Sequence, residues 1–190
     1  MSKTHSDHEY KPPVKKRVNK GLLLINTGNG KGKSTAAFGV MFRAWGRGLK
    51  VIVVQYIKHE GAMFGEQLAA RRLGIEMIPS GKGFTWNSKD LSEDAALAQN
   101  GWKISKELIM SGDYDIVILD EFTYPIKYGW IEIKEVVDFL LSRPKHVSII
   151  ITGRDAHEDL INISDCVTNM DEIKHPYKDQ GILAQKGIDY

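Results

Sequence analysis

Short apolar runs alternate with helix-like patterns through most of this chain. Five mainly apolar runs predict strands, at residues 22–26, 51–56, 75–78, 114–119 and 147–151. Between them, apolar spacing and helix-ending residues predict helices at residues 36–44, 66–73, 92 to about 112, and 133–141. Strands that are almost continuously apolar and separated by helices are typical of a parallel sheet with both faces covered. The pattern therefore predicts an α/β fold.

Composition is that of an ordinary globular protein. The chain has 190 residues, of which 42% are hydrophobic and 26% charged, with 26 Lys and Arg against 24 Asp and Glu. Such a nearly neutral chain gives no support to nucleic-acid or membrane partners. No apolar run approaches the roughly 20 residues of a membrane-spanning helix. Because the N-terminus also lacks an apolar signal core, we expect a cytoplasmic protein.

The first 20 residues differ from the rest of the chain because they are polar and basic. Pro12-Pro13 interrupts any helix there. We therefore predict one domain over residues 21–190, preceded by a basic tail over residues 1–20. The tail has two interpretations: a mobile extension, or an arm that folds over a ligand site as a lid.

A glycine-rich turn between the first predicted strand and the first predicted helix is the most specific motif. Its residues are Gly28, Asn29, Gly30, Lys31, Gly32, Lys33, Ser34 and Thr35. Glycines let backbone N–H groups converge on phosphate oxygens, and the helix N-terminus that follows adds partial positive charge. Lys33 is placed to neutralise phosphate oxygens and the Ser34 hydroxyl to hold Mg²⁺. The motif predicts a P-loop, with Thr27 at the usual first glycine position, so that the loop is one residue shorter.

An acidic pair follows the fourth predicted strand. Asp120 and Glu121 come directly after an apolar run, at the edge of a parallel sheet where ligands bind. Carboxylates there can hold Mg²⁺ directly or through water, opposite Ser34. The alternative is that they only cap the next helix. With the P-loop, the pair predicts Mg-nucleotide binding, which by itself does not identify the reaction.

Two aromatic residues follow the third predicted strand. Phe84 and Trp86 stand one residue apart in a loop that also contains Gly81 and Gly83, so in an extended segment both project to the same side. One interpretation is that they fill the core beneath the loop. The other is that they are presented to a large flat ligand.

Taken together, these motifs resemble those of the P-loop class of cob(I)alamin adenosyltransferases. The similarity covers residues 21–190 in the family's order. The motifs that carry it are Gly28 to Thr35, Gln55-Tyr56-Ile57-Lys58, Gly83-Phe84-Thr85-Trp86, Leu119-Asp120-Glu121, Ile151-Thr152-Gly153-Arg154, Lys174-His175-Pro176-Tyr177 and Ala184-Gln185-Lys186-Gly187-Ile188-Asp189-Tyr190.

The resemblance implies a RecA-like P-loop fold and a specific reaction. Co(I) of a reduced corrinoid would attack the 5′ carbon of ATP and expel triphosphate, with ATP lying reversed relative to other P-loop enzymes. Lys31, Lys33, the loop amides and Mg²⁺, or Mn²⁺ in its place, would stabilise the departing triphosphate. Lys33 and Glu121 are the expected catalytic residues. Cobalt is itself the nucleophile, so no serine, cysteine or general base is required.

The resemblance also implies how the corrinoid is bound. Phe84 and Trp86 would crowd the lower face of the corrin and displace its axial ligand, which makes Co(II) easier to reduce by a flavoprotein-type reductase. Arg43 is a nucleotide contact by the family match, or equally a solvated arginine at a helix end. His175 lies in a family motif, but a packed or surface role is expected. The family also implies a homodimer.

Two rival functions and one structural expectation complete the sequence-based picture. The first rival is a P-loop ATPase or small-molecule kinase, and the second is a non-catalytic corrinoid-binding module. Cys166, the single cysteine, cannot form an internal disulfide and is expected to be a small core residue.

Overall fold

The computed structural model describes residues 20–57, 64–81 and 91–190, with the side chain of Leu91 excepted. Six strands form one sheet: β1 (Leu23–Thr27), β2 (Val51–Gln55), β3 (Glu76–Pro79), β4 (Ile116–Asp120), β5 (Ser148–Thr152) and β6 (Cys166–Asn169). Their order across the sheet is β3-β2-β4-β5-β1-β6, and every pair is parallel. The predicted α/β fold with a parallel sheet is confirmed, and it is consistent with a RecA-like P-loop fold.

Seven helices in the described part of the chain accompany the sheet. They are α1 (Lys33–Trp45), α2 (Gly65–Leu73), α3 (Leu91–Ser111), α4 (Thr123–Lys127), α5 (Ile133–Ser142), α6 (Glu158–Ile163) and α7 (Pro176–Gln180). α2 ends at Gly74, whose φ of 70° stops the helix. α5 ends where Arg143 precedes Pro144, since the residue before proline disfavours helical geometry.

Alternate residues of the strands face two separate cores, one on each side of the sheet. Leu119 and Ile151 point to the larger core, where Trp102 of α3 and Leu140 of α5 pack against them. Ile118 belongs to the smaller core, together with Ala37 and Met41 of α1. Period-two alternation places neighbouring residues of a strand on opposite faces. Both faces are therefore covered, as the continuously apolar strands predicted.

Four strands, β1, β3, β4 and β5, end one residue later than the apolar pattern predicted, whereas β2 ends one residue earlier, at Gln55. Four of the six strands finish on a polar residue that is nevertheless buried: Thr27, Gln55, Asp120 and Thr152. At Thr27, Asp120 and Thr152 the predicted strand stops one residue short of this ending. These four side chains lie together at the carboxyl edge of the sheet, where ligands bind in parallel α/β folds.

The expectation for Cys166 was wrong. This residue begins β6, and its thiol is exposed, because β6 is the edge strand of the sheet and all four of its residues are exposed. β6, α4, α6 and α7 were not predicted from the sequence. Each is only four to six residues long, too short for a clear period.

Candidate active site

The turn between β1 and α1 is a tight loop whose glycines are required by its backbone and its neighbours. Gly28 and Gly32 have φ angles of 97° and 107°, which residues with a side chain rarely adopt. A Cβ on Gly28 would lie 2.5 Å from the Met170 carbonyl oxygen, and one on Gly30 would lie 2.6 Å from that of Asp171. The Gly30 N–H donates to the Met170 carbonyl at 2.7 Å. The segment after β6 therefore closes one side of the loop.

Lys33 begins α1 and is only 8% exposed. Its Nζ donates to the Gly30 carbonyl at 2.7 Å. Burial lowers the pKa of the Lys33 ammonium, against the opposing effect of the Glu121 carboxylate, and nearby Arg154 lowers it further. A desolvated ammonium close to another cation is stabilised by an anionic ligand. Lys33 is thus suited to bind phosphate.

Asp120 lies at the centre of the row of polar strand ends and is fully buried. Its Oδ1 accepts a hydrogen bond from the Thr152 hydroxyl at 2.8 Å, and its Oδ2 accepts one from Gln55 Nε2 at 3.1 Å. The Gln55 side-chain oxygen in turn accepts from Gln67 Nε2 of α2 at 2.8 Å. Because both carboxylate oxygens have donors, Asp120 joins the ends of three strands and orients its neighbours.

Glu121, the next residue, has a backbone conformation unusual for a residue with a side chain. Its φ is 61°, and such strain costs about 1–3 kcal/mol and is concentrated at functional sites. The Glu121 N–H donates to the Thr152 hydroxyl at 2.9 Å. The N-cap of α4 is Phe122 rather than either acid, which disfavours the capping interpretation of the acidic pair. The turn directs Glu121 toward the cavity beside the P-loop.

This cavity has a volume of about 870 Å³ and lies where the P-loop, α2 and the end of β5 meet. Its floor is the P-loop and the start of α1, residues 31–35. Glu121, Tyr124 and Arg154 form one wall, while Phe38 and Phe64 contribute aromatic surface. Burial, and secondarily the Glu121 carboxylate, raises the pKa of Tyr124 to about 12. The lining thus combines cations, a carboxylate and aromatic surface. This combination matches a nucleotide better than an apolar ligand.

The structure brings six of the predicted site residues together at this cavity. Those that line it are Lys31, Gly32, Lys33, Ser34, Thr35 and Glu121. Gly28 and Asn29 instead line a second cavity, of about 570 Å³, beside Asp155 and Asp171. Gly30 is buried in the loop, and Asp120 lies beneath the cavity rather than in its lining.

Arg43 and the aromatic pair do not belong to that group. Arg43 is exposed in the last turn of α1, ten residues beyond Lys33 and hence about 15 Å farther along the helix axis. The structure therefore does not bring Arg43 to the cavity. Phe84 and Trp86 lie outside the described residues.

Sequence reasoning did not assign a role to several residues that line the cavity. Arg154 follows β5 and lies near Lys33 and Glu121, as its effect on the Lys33 pKa shows. The sequence did contain a signal for a role of Arg154 at the site, because Arg154 follows a predicted strand at the ligand edge and belongs to a quoted motif. Asp189 also belongs to a quoted motif, residues 184–190, although no strand precedes it. Tyr124 had no comparable signal, since it reaches the cavity from a short helix.

The described residues also bear on membrane and metal binding. No helix among them combines the length and apolar composition needed to cross a membrane. Within the same residues, no group of three or more His, Cys, Asp or Glu side chains could hold a metal ion. Mg²⁺ in nucleotide sites commonly has one or two protein ligands, and the substrate phosphates supply others. Ser34 and Glu121, both in the cavity lining, fit that donor set.

Comparison with known proteins gives a consistent result over almost the whole chain. Residues 19–190 match the family described as "ATP:corrinoid adenosyltransferase BtuR/CobO/CobP". A corrinoid adenosyltransferase of Sinorhizobium sp is 42% identical over 174 residues, which cover 90% of this chain and 81% of the relative.

Two further relatives carry the same name. The corrinoid adenosyltransferase of Pseudomonas aeruginosa is 41% identical, over 92% of this chain and 86% of its own length. That of Escherichia coli strain K12 is 40% identical, over 90% of this chain and 86% of its own length. The similarity thus includes the P-loop, the acidic pair and the segment after β6.

Proposed function

The chain belongs to the ATP:corrinoid adenosyltransferase family, and from this premise we propose that the cavity beside the P-loop is where ATP adenosylates a reduced corrinoid. The reaction transfers the 5′-deoxyadenosyl group to Co(I) and releases triphosphate. The observation that carries the proposal is the convergence of Lys31, Lys33 and Arg154 on one cavity that also contains Ser34 and Glu121. The adenosylated corrinoid would serve adenosylcobalamin biosynthesis or salvage.

The cations are suited to a polyphosphate leaving group. Co(I) supplies an electron pair to the 5′ carbon of ATP, the carbon–oxygen bond breaks, and its electrons stay on the bridging oxygen of the triphosphate. Lys33 and Arg154 would stabilise that charge, and the half-exposed Lys31 would reach the outer oxygens. Because the nucleophile carries no proton, the reaction needs no general base.

Ser34 and Glu121 would hold Mg²⁺, or Mn²⁺ in its place. When bound, the ion supplies charge neutralisation to the phosphate oxygens. Asp120 has both oxygens engaged by Thr152 and Gln55, so we assign it to positioning Glu121 through Thr152 and to holding the ion through water. This arrangement divides the acidic pair into one residue that faces the ligand and one that fixes the sheet edge.

For the corrinoid, we propose that Phe84 and Trp86 crowd the lower face of the ring and displace the axial ligand. The support is positional. β3 ends at Pro79, on the same edge of the parallel sheet as the P-loop, and α3 begins at Leu91. Pro79 and the start of α3, which are described on either side of this segment, therefore both lie around the ligand edge. Trp86→Ala should reduce activity strongly when Co(II) must first be reduced and much less when Co(I) is supplied chemically; equal losses would contradict the role.

An anaerobic product assay separates the candidate functions. Purified protein is mixed with Mg-ATP and chemically reduced cobalamin, and cobalt–carbon bond formation is followed by the spectral loss of Co(I). Adenosylated corrinoid and triphosphate in equal amounts support the proposal. ADP without a cobalt–carbon bond would indicate an ATPase or kinase, and binding without turnover would indicate a corrinoid-binding module.

The remaining sequence-based expectations also stay proposals. We propose that residues 21–190 act as one nucleotide- and corrinoid-binding domain, that the protein functions as a cytoplasmic homodimer, and that a flavoprotein-type reductase supplies electrons. Residues 1–20 would act either as a tail or as a lid over the ligand site. Removal of residues 1–19 should weaken corrinoid retention if they act as a lid, and leave it unchanged if they are an inert tail.

A further inference from the structure

A turn formed by residues 185–190 lies across the cavity from the P-loop. Gly187, Ile188, Asp189 and Tyr190 line the cavity, opposite residues 31–35. This turn, which we call the strap, is compact: the Asp189 N–H donates to the Gln185 carbonyl at 2.8 Å, and the Gly187 N–H donates to that of Tyr190 at 2.7 Å. The strap is therefore a preformed unit rather than an extended end.

One ion pair connects the strap to the P-loop. The Lys31 ammonium donates to Asp189 Oδ1, while Asp189 Oδ2 accepts from the Gln185 N–H at 2.8 Å. The carboxylate is thus fixed within the strap, with only 16% of the Asp189 side chain exposed, against 54% for Lys31. These bonds lower the pKa of the Asp189 carboxyl, the contact with Lys31 most of all, so Asp189 is a carboxylate at neutral pH.

The pair also stands between two cavities. A third cavity, of about 450 Å³, lies against α7 and shares Lys31, Ile188 and Asp189 with the cavity beside the P-loop. The strap has little apolar anchorage, because Ile188 is 79% exposed and Tyr190 is 46% exposed. A contact that joins the strap to the P-loop and separates two cavities is well placed to control the position of the strap.

We propose that the Lys31–Asp189 ion pair holds the strap over the phosphate cradle, and that a bound polyphosphate takes Lys31 from Asp189 and releases the strap. This inference rests on the proposed use of the cradle for the triphosphate of ATP. The Asp189 side chain is mostly covered but Lys31 is half exposed, and an ion pair that solvent still reaches contributes modestly to stability, so several phosphate oxygens outcompete one carboxylate for the ammonium. Lys33 is not exchangeable in this way, because it is buried and bonded to the Gly30 carbonyl.

Trypsin provides a direct measurement, since Lys186 is exposed within the strap. Cleavage after Lys186 removes four residues and is followed by intact mass, with cleavage after Lys178 as the internal reference. In the natural protein, inorganic triphosphate with Mg²⁺ should accelerate cleavage after Lys186 relative to Lys178. Asp189→Asn should be cleaved rapidly with and without triphosphate. A cleavage ratio in the natural protein that does not change with triphosphate would overturn the proposal.

Calorimetry of inorganic triphosphate binding tests the competition itself. Asp189→Asn should bind triphosphate about 2- to 5-fold more tightly, the range expected for an ion pair that is open to solvent on its Lys31 side. In a Lys31→Gln background the same substitution should change affinity much less, since Lys31 is then no longer there to be released. Asp138→Asn removes an exposed pair with Lys134 at 2.8 Å on α5 and should leave triphosphate affinity unchanged.

Other outcomes of these measurements would overturn the proposal or separate it from the proposed function. Weaker or unchanged triphosphate binding by Asp189→Asn would overturn the proposal, as would failure of the natural protein to bind triphosphate. If Asp189→Asn does not fold, Lys31→Gln breaks the same pair from the other side and should also release the strap. Both assays omit corrinoid, so a protein that passes them but makes no cobalt–carbon bond refutes the proposed function and keeps the strap.

Discussion

The central strands and residues 161–190 are held in place by different interactions. Every residue of β2 and β4 is buried, and their side chains enter two apolar cores. By contrast, none of residues 161–190 is buried. That stretch is attached by polar contacts, such as the Met170 carbonyl on the P-loop and the pairing of Asp189 with Lys31.

Both regions nevertheless shape the same cavity. One region chiefly determines the stability of the fold, and the other chiefly determines the geometry of the site. The central strands β1, β4 and β5 place Thr27, Asp120 and Thr152 at their ends, through apolar burial of the residues before them. The exposed region closes the outer side of the loop and contributes the strap. Substitutions of apolar residues in the first region should therefore affect unfolding, and substitutions in the part of the second region that borders the cavity should affect ligand binding with little effect on unfolding.

A matched pair of truncations gives the largest expected difference. Ile151→Ala removes a fully buried side chain from the larger core and should lower the free energy of unfolding by about 2–5 kcal/mol. Leu183→Ala removes a side chain that is 73% exposed, and its effect should lie within about 0.5 kcal/mol. Urea unfolding followed by circular dichroism measures both. A loss above about 1 kcal/mol for Leu183→Ala would show that the exposed region is held by apolar packing after all.

Lys33 sharpens the comparison because it is a charged residue that is buried, at the start of α1. Lys33→Ala should reduce turnover by about 10²-fold or more, the effect of removing a charge-stabilising group. Lys134→Ala, at an exposed pair on α5, should leave turnover unchanged. Anaerobic steady-state assays with chemically supplied Co(I) compare the two, and a loss below about threefold for Lys33→Ala would contradict its assignment.

The pH dependence of unfolding tests the burial of the same lysine. Burial lowers the pKa of Lys33 in the folded protein, so the unfolded chain binds more protons as pH approaches the ordinary lysine value of about 10.4. The contribution of Lys33 to stability therefore rises with pH between its folded and unfolded pKa values. Nucleotide-free Lys33→Ala should lack this rise. Parallel stability–pH curves for the two proteins would contradict the lowered pKa.

Arg154 extends the argument to a cation supplied by the end of a central strand. Arg154→Lys keeps the positive charge but loses the planar fork that matches phosphate oxygens, so turnover should fall by about tenfold. Arg47→Lys, an exposed residue after α1, is the matched control. The same assay measures both, and full activity of Arg154→Lys would show that charge alone is sufficient there.

The comparison also explains which parts were predictable from sequence. The central strands and longer helices have strong apolar periodicity, because burial selects it, so their existence and type were predicted. The P-loop and the acidic pair were found through residue types that phosphate and Mg²⁺ chemistry require at fixed spacing. The endings of β1, β4 and β5 were missed because Thr27, Asp120 and Thr152 are polar yet buried, which apolar patterns do not register.

The exposed region was less predictable because its contacts are long-range and polar. Cys166 was assigned to the core from residue type, but an edge strand exposes its side chains. The pairing of Lys31 with Asp189 joins residues 158 positions apart, and nothing local in the sequence marks it. Likewise, Asp120 is buried while Glu121 lines the cavity, a difference that accompanies the left-handed backbone at Glu121 and that the sequence alone did not reveal.

Asp165 lies where residues 161–190 join the sheet. Its substitution gives the smallest effect among these predictions. Its carboxylate accepts hydrogen bonds from Lys20 Nζ at 2.6 Å and from the Leu23 N–H at 2.9 Å, and these bonds, the Lys20 contact first, lower the pKa of Asp165. A lowered carboxyl pKa stabilises the fold above the unfolded value of about 3.9, and this contribution disappears as pH falls through the folded pKa. Asp165→Asn should therefore cost about 0.5–1 kcal/mol at pH 7 and little in strong acid.

Urea unfolding at pH 7 and in strong acid measures this change, with the exposed Asp113→Asn as control. Turnover of Asp165→Asn should be unchanged, because Asp165 lies before β6 and at the start of β1, the end of the sheet opposite the P-loop. A pH-independent cost would indicate that Asp165 acts through hydrogen-bond geometry rather than charge. A loss of turnover at full stability would show that the two ends of the exposed region are coupled, which would remove the separation between stability and site geometry.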